Sequence, residues 1–267
     1  MTVHRPEQPT PDYVPGHDLL AGQVVVVTAA AGAGIGAAVV RRALEEGAKA
    51  VVVSDTHARR LAEAERSLGE EFGADRVRSL TCDVTDEAQV SALLDVADEF
   101  GGVDIMINNA GLGGEVNILE MSDEQWSRVL DITLTGTFRC VRAAGKRMVQ
   151  NDKRGVIVNN ASVIGWRAQE GQAHYAAAKA GVMALTRCAA LDMAPHGIRV
   201  NAVSPSLAMH PFLAKVTSDD LLAELKQREA FGRAAEPWEV ANVMVFLASG
   251  YSSYLTGEVV SVSSQRA

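Results

Sequence analysis

A chain of 267 residues is long enough to bury a large core in one α/β domain. Its net charge of −8 argues against a non-specific nucleic-acid footprint, and no apolar run reaches 18 residues, so no membrane span is expected. Three scattered cysteines, Cys82, Cys140 and Cys188, form no C-x-x-C pattern, and the N-terminus lacks an apolar signal core. These features point to packed, reduced thiols in a cytoplasmic protein with no metal site.

Residues 1–19 hold Pro6, Pro9, Pro11 and Pro15, half of the chain's 8 prolines, and read as an extended arm. From residue 20 the pattern alternates. Gln23–Thr28, Ala50–Ser54, Val77–Cys82, Val103–Ile107, Gly155–Asn160, Ile198–Ser204 and Glu258–Ser263 are short strand-like runs. Helical stretches intervene at Gly34–Glu46, Thr56–Phe72, Asp86–Phe100, Asp123–Gln150, Gln172–Met193, Ser206–Ala230 and Pro237–Ala248. Strict β–α alternation predicts a single-domain, doubly wound parallel sheet of about seven strands, with helices on both faces.

The first strand runs into a glycine-rich turn, Thr28-Ala-Ala-Ala-Gly32-Ala-Gly34-Ile35-Gly36, followed by a helix. Glycine lets backbone approach a pyrophosphate, and the helix N-terminus favours the anion. Asp55, 19 residues after Gly36, is placed to accept hydrogen bonds from the hydroxyls of an adenine ribose and to repel a 2′-phosphate. That favours NAD over NADP; an N-cap is the plainer reading of the same carboxylate. Further on, Ser162 precedes a Tyr and a Lys four residues apart, Tyr175 and Lys179. On a helix these two share a face, about 5–6 Å apart at Cβ. The cation is expected to lower the phenol's pKa and fit it for proton exchange with a carbonyl or hydroxyl. A lone Tyr-x-x-x-Lys is weak evidence, and surface residues are its plain alternative.

The ordered set is stronger. The glycine-rich turn, Cys82-Asp83-Val84, Asn108-Asn109-Ala110-Gly111, Asn160-Ala161-Ser162, Tyr175-x-x-x-Lys179 and Asn201-Ala-Val-Ser-Pro205 together resemble the short-chain dehydrogenase/reductases from about Gly22 to Ser263. The resemblance implies a Rossmann-type dehydrogenase domain over 20–267 with a substrate lid at about 206–230. Thr28, Gly32, Gly34, Ile35 and Gly36 would then hold the dinucleotide. Asp83 and Val84 would take the adenine, and Asn109, Ala110 and Gly111 would line the cofactor, joined by Pro205 and Ala208. Ser162 would orient the substrate oxygen, Tyr175 would act as acid/base, and Lys179 would bind the nicotinamide ribose. The family's fourth catalytic residue, an Asn that supports a water beside the Lys, aligns with Thr133, whose single hydroxyl and missing amide are expected to alter the proton relay. Ala29 stands where the family's first glycine is expected, and Gly32 is expected to restore the lost flexibility. Ser206 replaces a usual glycine, and His210 a usual threonine.

Within that family, TAAAGAGIG, NNASVIGWRAQ, HYAAAKAGVMALTRCAA, FGRAAEPWEVA and SSYLTGEVVSVS resemble the actinobacterial reductases of steroid degradation. This implies an NAD-dependent interconversion of a ring hydroxyl and ketone on a CoA-linked steroid-ring fragment, in a homotetramer or homodimer. Trp166, Met209, His210 and Phe212, with Leu112, Leu207 and Leu213, are candidate walls for the fused rings. Arg167, Lys215 and Arg233 are candidates for the CoA phosphates, against a plain reading as solvated surface charge. The competing readings are a 3-oxoacyl thioester reductase, whose usual NADPH Asp55 disfavours, and a non-catalytic nucleotide sensor. A serine hydrolase lacks its G-x-S-x-G elbow.

Overall fold

The computed structural model describes residues 6–209 and 219–265, with backbone alone at 219–221. Seven strands, β1 (Val24–Val27), β2 (Ala50–Asp55), β3 (Val77–Thr81), β4 (Ile105–Asn108), β5 (Val156–Asn160), β6 (Arg199–Pro205) and β7 (Val259–Val262), make one sheet in the order β3-β2-β1-β4-β5-β6-β7. Every pairing is parallel. The expected doubly wound sheet is therefore the observed one. Strand order reverses between β1 and β4, and there the crossovers on the two sides leave a crevice at the strands' C-terminal ends.

The helices are α1 (Ile35–Glu45), α2 (Ala58–Phe72), α3 (Glu87–Asp98), α4 (Asp123–Leu130), α5 (Gly136–Gln150), α6 (Ala173–Met193), α7 (Asp219–Arg228) and α8 (Pro237–Ala248). The run of four valines in β1 shows why the sheet needs them on both faces. Side chains alternate along a strand. Val25 and Val27 pack with Val39, Val40, Val240 and Met244 of α1 and α8. Val24 and Val26 face the other way, into a core with Leu93, Leu94, Val141 and Met148 of α3 and α5. A strand buried on both sides must be apolar throughout, and β-branched residues fit that pleated surface.

Three expectations change. The continuous helix over Asp123–Gln150 is broken by a π-helical segment, Asp131–Thr135, between α4 and α5. Of the helix expected over Ser206–Ala230, Ser206 to Met209 is extended: Ser206 N donates to Val262 O at 3.2 Å and Met209 N to Ala235 O at 2.9 Å. A sheet edge offers these amides partners that a helix start would leave open. Cys188 is exposed, whereas Cys82 and Cys140 are buried. Burial pushes the Cys82 thiol up to about 11 and raises that of Cys140 as well.

The N-terminal arm is fastened by an ion pair at the end of α1. Glu46 is wholly buried and accepts from Arg42 Nη2 at 2.6 Å, His17 N at 2.7 Å and Leu19 N at 3.0 Å. Arg42 also donates to the carbonyls of Val14 and Pro15. Tyr13 stacks edge-on against Trp238 of α8 at 5.3 Å. Burial works to raise the Glu46 carboxyl, but its backbone amides and Arg42 outweigh it, so the group sits below its ordinary value of 4.5. A depressed acid stabilises the fold above its unfolded pKa and loses that contribution as pH falls through its folded value. Removing one partner strands the other charge in the interior. Glu46→Ala is therefore expected to cost about 3 kcal/mol or more in chemical denaturation and to expose residues 6–18 to proteolysis; a loss under about 1 kcal/mol would show the clasp to be dispensable.

Candidate active site

The crevice is built on the turn after β1. Ala29 takes a left-handed backbone, φ 52°, at the position where glycine was expected. Gly32 has neither a positive φ nor any atom within 4 Å of where a Cβ would sit. The extra residue is thus absorbed by Ala29, and Gly32 does not supply the missing freedom. Holding a non-glycine residue left-handed costs about 1–2 kcal/mol. Gly36 is required for another reason: a Cβ there would lie 2.5 Å from Asn109 Nδ2 and 2.6 Å from Ala29 O.

Hydrogen bonds lock this turn to the tips of β4 and β5. Thr28 Oγ1 accepts from Asn109 N and Ala110 N, both at 3.0 Å. Asn109 Nδ2 donates to Thr28 O at 3.2 Å and Ala29 O at 3.0 Å, and Asn109 Oδ1 accepts from Asn160 Nδ2 at 2.9 Å. Thr28, Asn109 and Gly36 accordingly lie beneath the crevice rather than on its surface. The crevice itself, about 1070 Å³, is walled by Gly32, Gly34, Asp55, Asp83, Val84, Ala110 and Gly111. Asp55 Oδ2 accepts from Ala31 N at 3.2 Å and Oδ1 from His57 N at 3.1 Å, which ties the carboxylate to the glycine-rich turn. Arg60 stands 3.9 Å from it and lines the same wall, while Arg59 is an exposed charge beside Glu63.

A smaller cavity of about 350 Å³ is lined by Ser162, Tyr175, Ile35, Pro205, Ala208 and Asn160. Ser162 lies two residues beyond β5 and caps a short turn, accepting from Ile164 N at 3.3 Å. Tyr175 and Lys179 project from α6, and the Lys179 ammonium lies 5.5 Å from the Tyr175 ring centre. Lys179 is 3% exposed and donates to Asn160 O at 2.5 Å. Burial pushes its pKa down to about 8. Burial also raises the Tyr175 phenol, with the Ser162 hydrogen bond pulling the other way. The expected fall in the tyrosine's own pKa is thus reversed. Desolvation disfavours both charged forms, and the lysine is the group that moves toward neutrality.

Thr133 is fully buried in the π-helical segment. Its hydroxyl donates to Leu112 O at 3.0 Å and accepts from Leu112 N at 2.9 Å. Both bonds go to one residue of the loop after β4, beside Gly111. The hydroxyl holds that backbone with both its donor and an acceptor site. Among the proposed substrate walls, Leu207 lines the smaller cavity and Leu112 the larger. Trp166 and Met209 line neither, and Trp166 is half exposed. His210, Phe212, Leu213 and Lys215 lie outside the described residues. His174 is buried, its Nδ1 accepting from Tyr175 N at 2.9 Å. Among the described residues no cluster of His, Cys, Asp and Glu is arranged to hold a metal, and no helix is long and apolar enough to cross a membrane.

Sequence reasoning passed over Asn160, whose carbonyl receives Lys179, and Asn159, which accepts from Asn108 Nδ2 at 2.8 Å and donates to Thr186 Oγ1 at 2.9 Å. The signal was present in the doubled asparagines that end β4 and β5: consecutive polar residues at the tips of apolar strands must find partners there.

Two outcomes follow from this geometry. Ala29→Gly should leave catalysis intact and raise stability by about 1 kcal/mol, whereas Gly36→Ala should break the Asn109 contacts and weaken nucleotide binding about tenfold or more; equal behaviour of the two variants in a binding titration would refute this reading of the turn. Thr133→Val removes a donor and an acceptor from Leu112, and should lower both thermal stability and kcat. Loss of kcat at unchanged stability would point back to a relay water.

Comparison places this architecture among known proteins. Residues 29–264 match the family described as enoyl-(acyl carrier protein) reductase. A Mycobacterium tuberculosis (5R,7aS)-5-hydroxy-7a-methyl-1-oxo-2,3,5,6,7,7a-hexahydro-1H-indene-carboxyl-CoA reductase is 59% identical over 96% of this chain and 97% of its own. A 3-oxoacyl-[acyl-carrier-protein] reductase of Vibrio cholerae is 35% identical over 91% and 97%. A crystallised short chain dehydrogenase from Mycobacterium smegmatis superposes with a TM-score of 0.85 at 54% identity, over 97% of this chain and 99% of that one. The seven-stranded parallel sheet, the motifs in their order and these relatives agree: the chain is an oxidoreductase that belongs to the short-chain dehydrogenase/reductases.

Proposed function

We propose that this enzyme interconverts a ring hydroxyl and a ring ketone on a CoA thioester of a steroid-ring fragment, using NAD. The observation that carries the substrate class is the 59% identity, across nearly both full chains, to a reductase of a hydroindene carboxyl-CoA. The fatty-acid type reading has a relative at 35%. The non-catalytic reading leaves unexplained why Ser162 and Tyr175 line one cavity with Lys179 buried behind them.

The crevice fits a dinucleotide. Its floor is close enough to exclude a Cβ at Gly36, Asp55 faces it from the end of β2, and Asp83 with Val84 forms the far wall. In this reading the glycine-rich turn and the N-terminus of α1 take the pyrophosphate. Asp55 takes the ribose hydroxyls, Asp83 and Val84 the adenine, and Lys179, Ala110, Gly111, Pro205 and Ala208 the nicotinamide half, with Asn109 supporting the crevice from beneath. Bound NAD supplies a hydride donor or acceptor. The protein supplies the rest. Ser162 donates to the substrate oxygen and holds it beside the Tyr175 hydroxyl. In reduction Tyr175 gives that oxygen its proton, and in oxidation it removes it. Lys179 stabilises the phenolate left behind, at a cost in desolvation that the chain has met by burying the ammonium beforehand. Thr133 fixes the loop that carries Gly111 and Leu112 over this pair.

The reading extends to a cytoplasmic enzyme that assembles as a homotetramer or homodimer. A groove between α5 and α6 supports it: Phe138 and Val149 there are apolar and about two-fifths exposed.

Tyr175→Phe should reduce turnover about 100-fold or more while NAD affinity, read by fluorescence titration, stays nearly unchanged. Asp55→Ala should narrow the preference for NAD over NADP, since it removes a carboxylate that repels the 2′-phosphate. Full activity in the first variant would sink the mechanism, and a wild type that already favours NADP would sink the carboxylate argument.

A further inference from the structure

We propose that Arg167 anchors a phosphate of the substrate's CoA portion, and that Gln265 and Glu229 position it. This rests on the CoA-thioester reading above and deepens it. Arg167 stands five residues after Ser162 in the turn beyond β5, its backbone N bonded to Val163 O at 3.0 Å, and lines the same 350 Å³ cavity as Ser162 and Tyr175. That volume suits a fused bicyclic ring and is too small for a CoA thioester, so the carrier must leave past the cavity wall.

The charges on that wall single out Arg167. Arg228, the other cation lining it, pairs with Glu224 at 2.6 Å. Arg233, a further candidate, is held by both oxygens of Glu239 at 2.6 and 2.8 Å. Arg167 has no carboxylate within 4.0 Å among the described residues; its Nη1 donates instead to the amide oxygen of Gln265, at 2.5 Å. Gln265 Nε2 in turn donates to Glu229 Oε1 at 2.9 Å. A guanidinium only donates and a carboxylate only accepts, so the amide orientation is fixed by its two neighbours. Glu229 is 1% exposed and also accepts from Ser264 Oγ at 2.8 Å and Leu207 N at 3.4 Å. The chain Arg167–Gln265–Glu229 therefore ties a half-buried guanidinium to a buried carboxylate through a neutral dipole. The guanidinium is held in place, its charge is not cancelled by direct contact, and the rest of its donor fork is available to a phosphate.

The experiment compares two substrates, the CoA thioester of a bicyclic ring ketone and the methyl ester of the same acid, on wild type, Arg167→Gln, Arg167→Lys and Gln265→Ala. Arg167→Gln is expected to raise KM for the thioester about tenfold or more with kcat nearly unchanged, and to leave KM for the methyl ester where it was. Arg167→Lys should recover part of the loss, as a point charge without the fork. Gln265→Ala should raise the thioester KM by a smaller factor, about threefold, with the charge still present. The methyl-ester kcat reports that each variant is folded. Thioester KM unchanged in Arg167→Gln, or both substrates affected equally, overturns the anchor while leaving the CoA reading in place. A wild type that shows no preference for the thioester overturns that reading and the anchor with it.

Discussion

An ammonium group taken out of water sits where β5 meets α6, and the tips of β4 and β5 are arranged around it. Lys179 is almost fully buried and donates to the carbonyl of Asn160 at 2.5 Å. Desolvation brings it down to about 8 and at the same time raises the phenol of Tyr175 beside it. In the proposed mechanism the two titrate as a pair. The first proton to leave comes from the pair as a whole. Phenolate beside ammonium and phenol beside amine differ only in where the remaining proton sits. An alcohol can then lose its proton to the pair at a pH where an isolated phenol, with its pKa of about 10, would stay protonated.

The Asn160 carbonyl is useful only if β5 and α6 cannot slide past each other. Asn159 bonds to Thr186, two turns beyond Lys179 on α6, and to Asn108 on the adjoining strand. Asn160 bonds through its side chain to Asn109, which is clasped to Thr28 and Ala29 at the end of β1. The same polar network therefore sets the height of Tyr175 and Lys179 and the shape of the crevice, so that under the proposed function redox partner and proton donor are aligned by one set of bonds. Buried networks of this kind are stabilising only when satisfied. Among the described residues Asn160 Oδ1 and Asn108 Oδ1 have no hydrogen-bond partner, and of the two residues Asn160 lines the smaller cavity.

Much of this was legible from sequence because the information is local. Valine runs, turn glycines and the i, i+4 spacing of Tyr175 and Lys179 each report on their own neighbourhood. Long-range compensation was not legible. Nothing near Ala29 announces that it, and not Gly32, takes the left-handed turn; Gly36 and the distant Asn109 close in on its carbonyl only in the folded chain. The partner of the Thr133 hydroxyl, Leu112, lies 21 residues away and leaves no mark in the neighbouring sequence. Trp166 was a candidate wall beside the apolar residues after Pro205, yet it is half exposed and does not line the smaller cavity. The reversal at Tyr175 has the same origin: spacing gives the cation's proximity, and only the packed structure gives the loss of water that outweighs it.

The central claim is that the buried Tyr175–Lys179 pair, and not an isolated phenol, carries the proton. The most direct measurement is the pH dependence of kcat/KM for alcohol oxidation in wild type and in Lys179→Met. The pair predicts a rise through a single apparent pKa near the lysine's value of about 8 in wild type, moved upward by more than about one pH unit when the ammonium is removed. A wild-type profile that is flat through this range, or one whose pKa is unchanged in Lys179→Met, would contradict it.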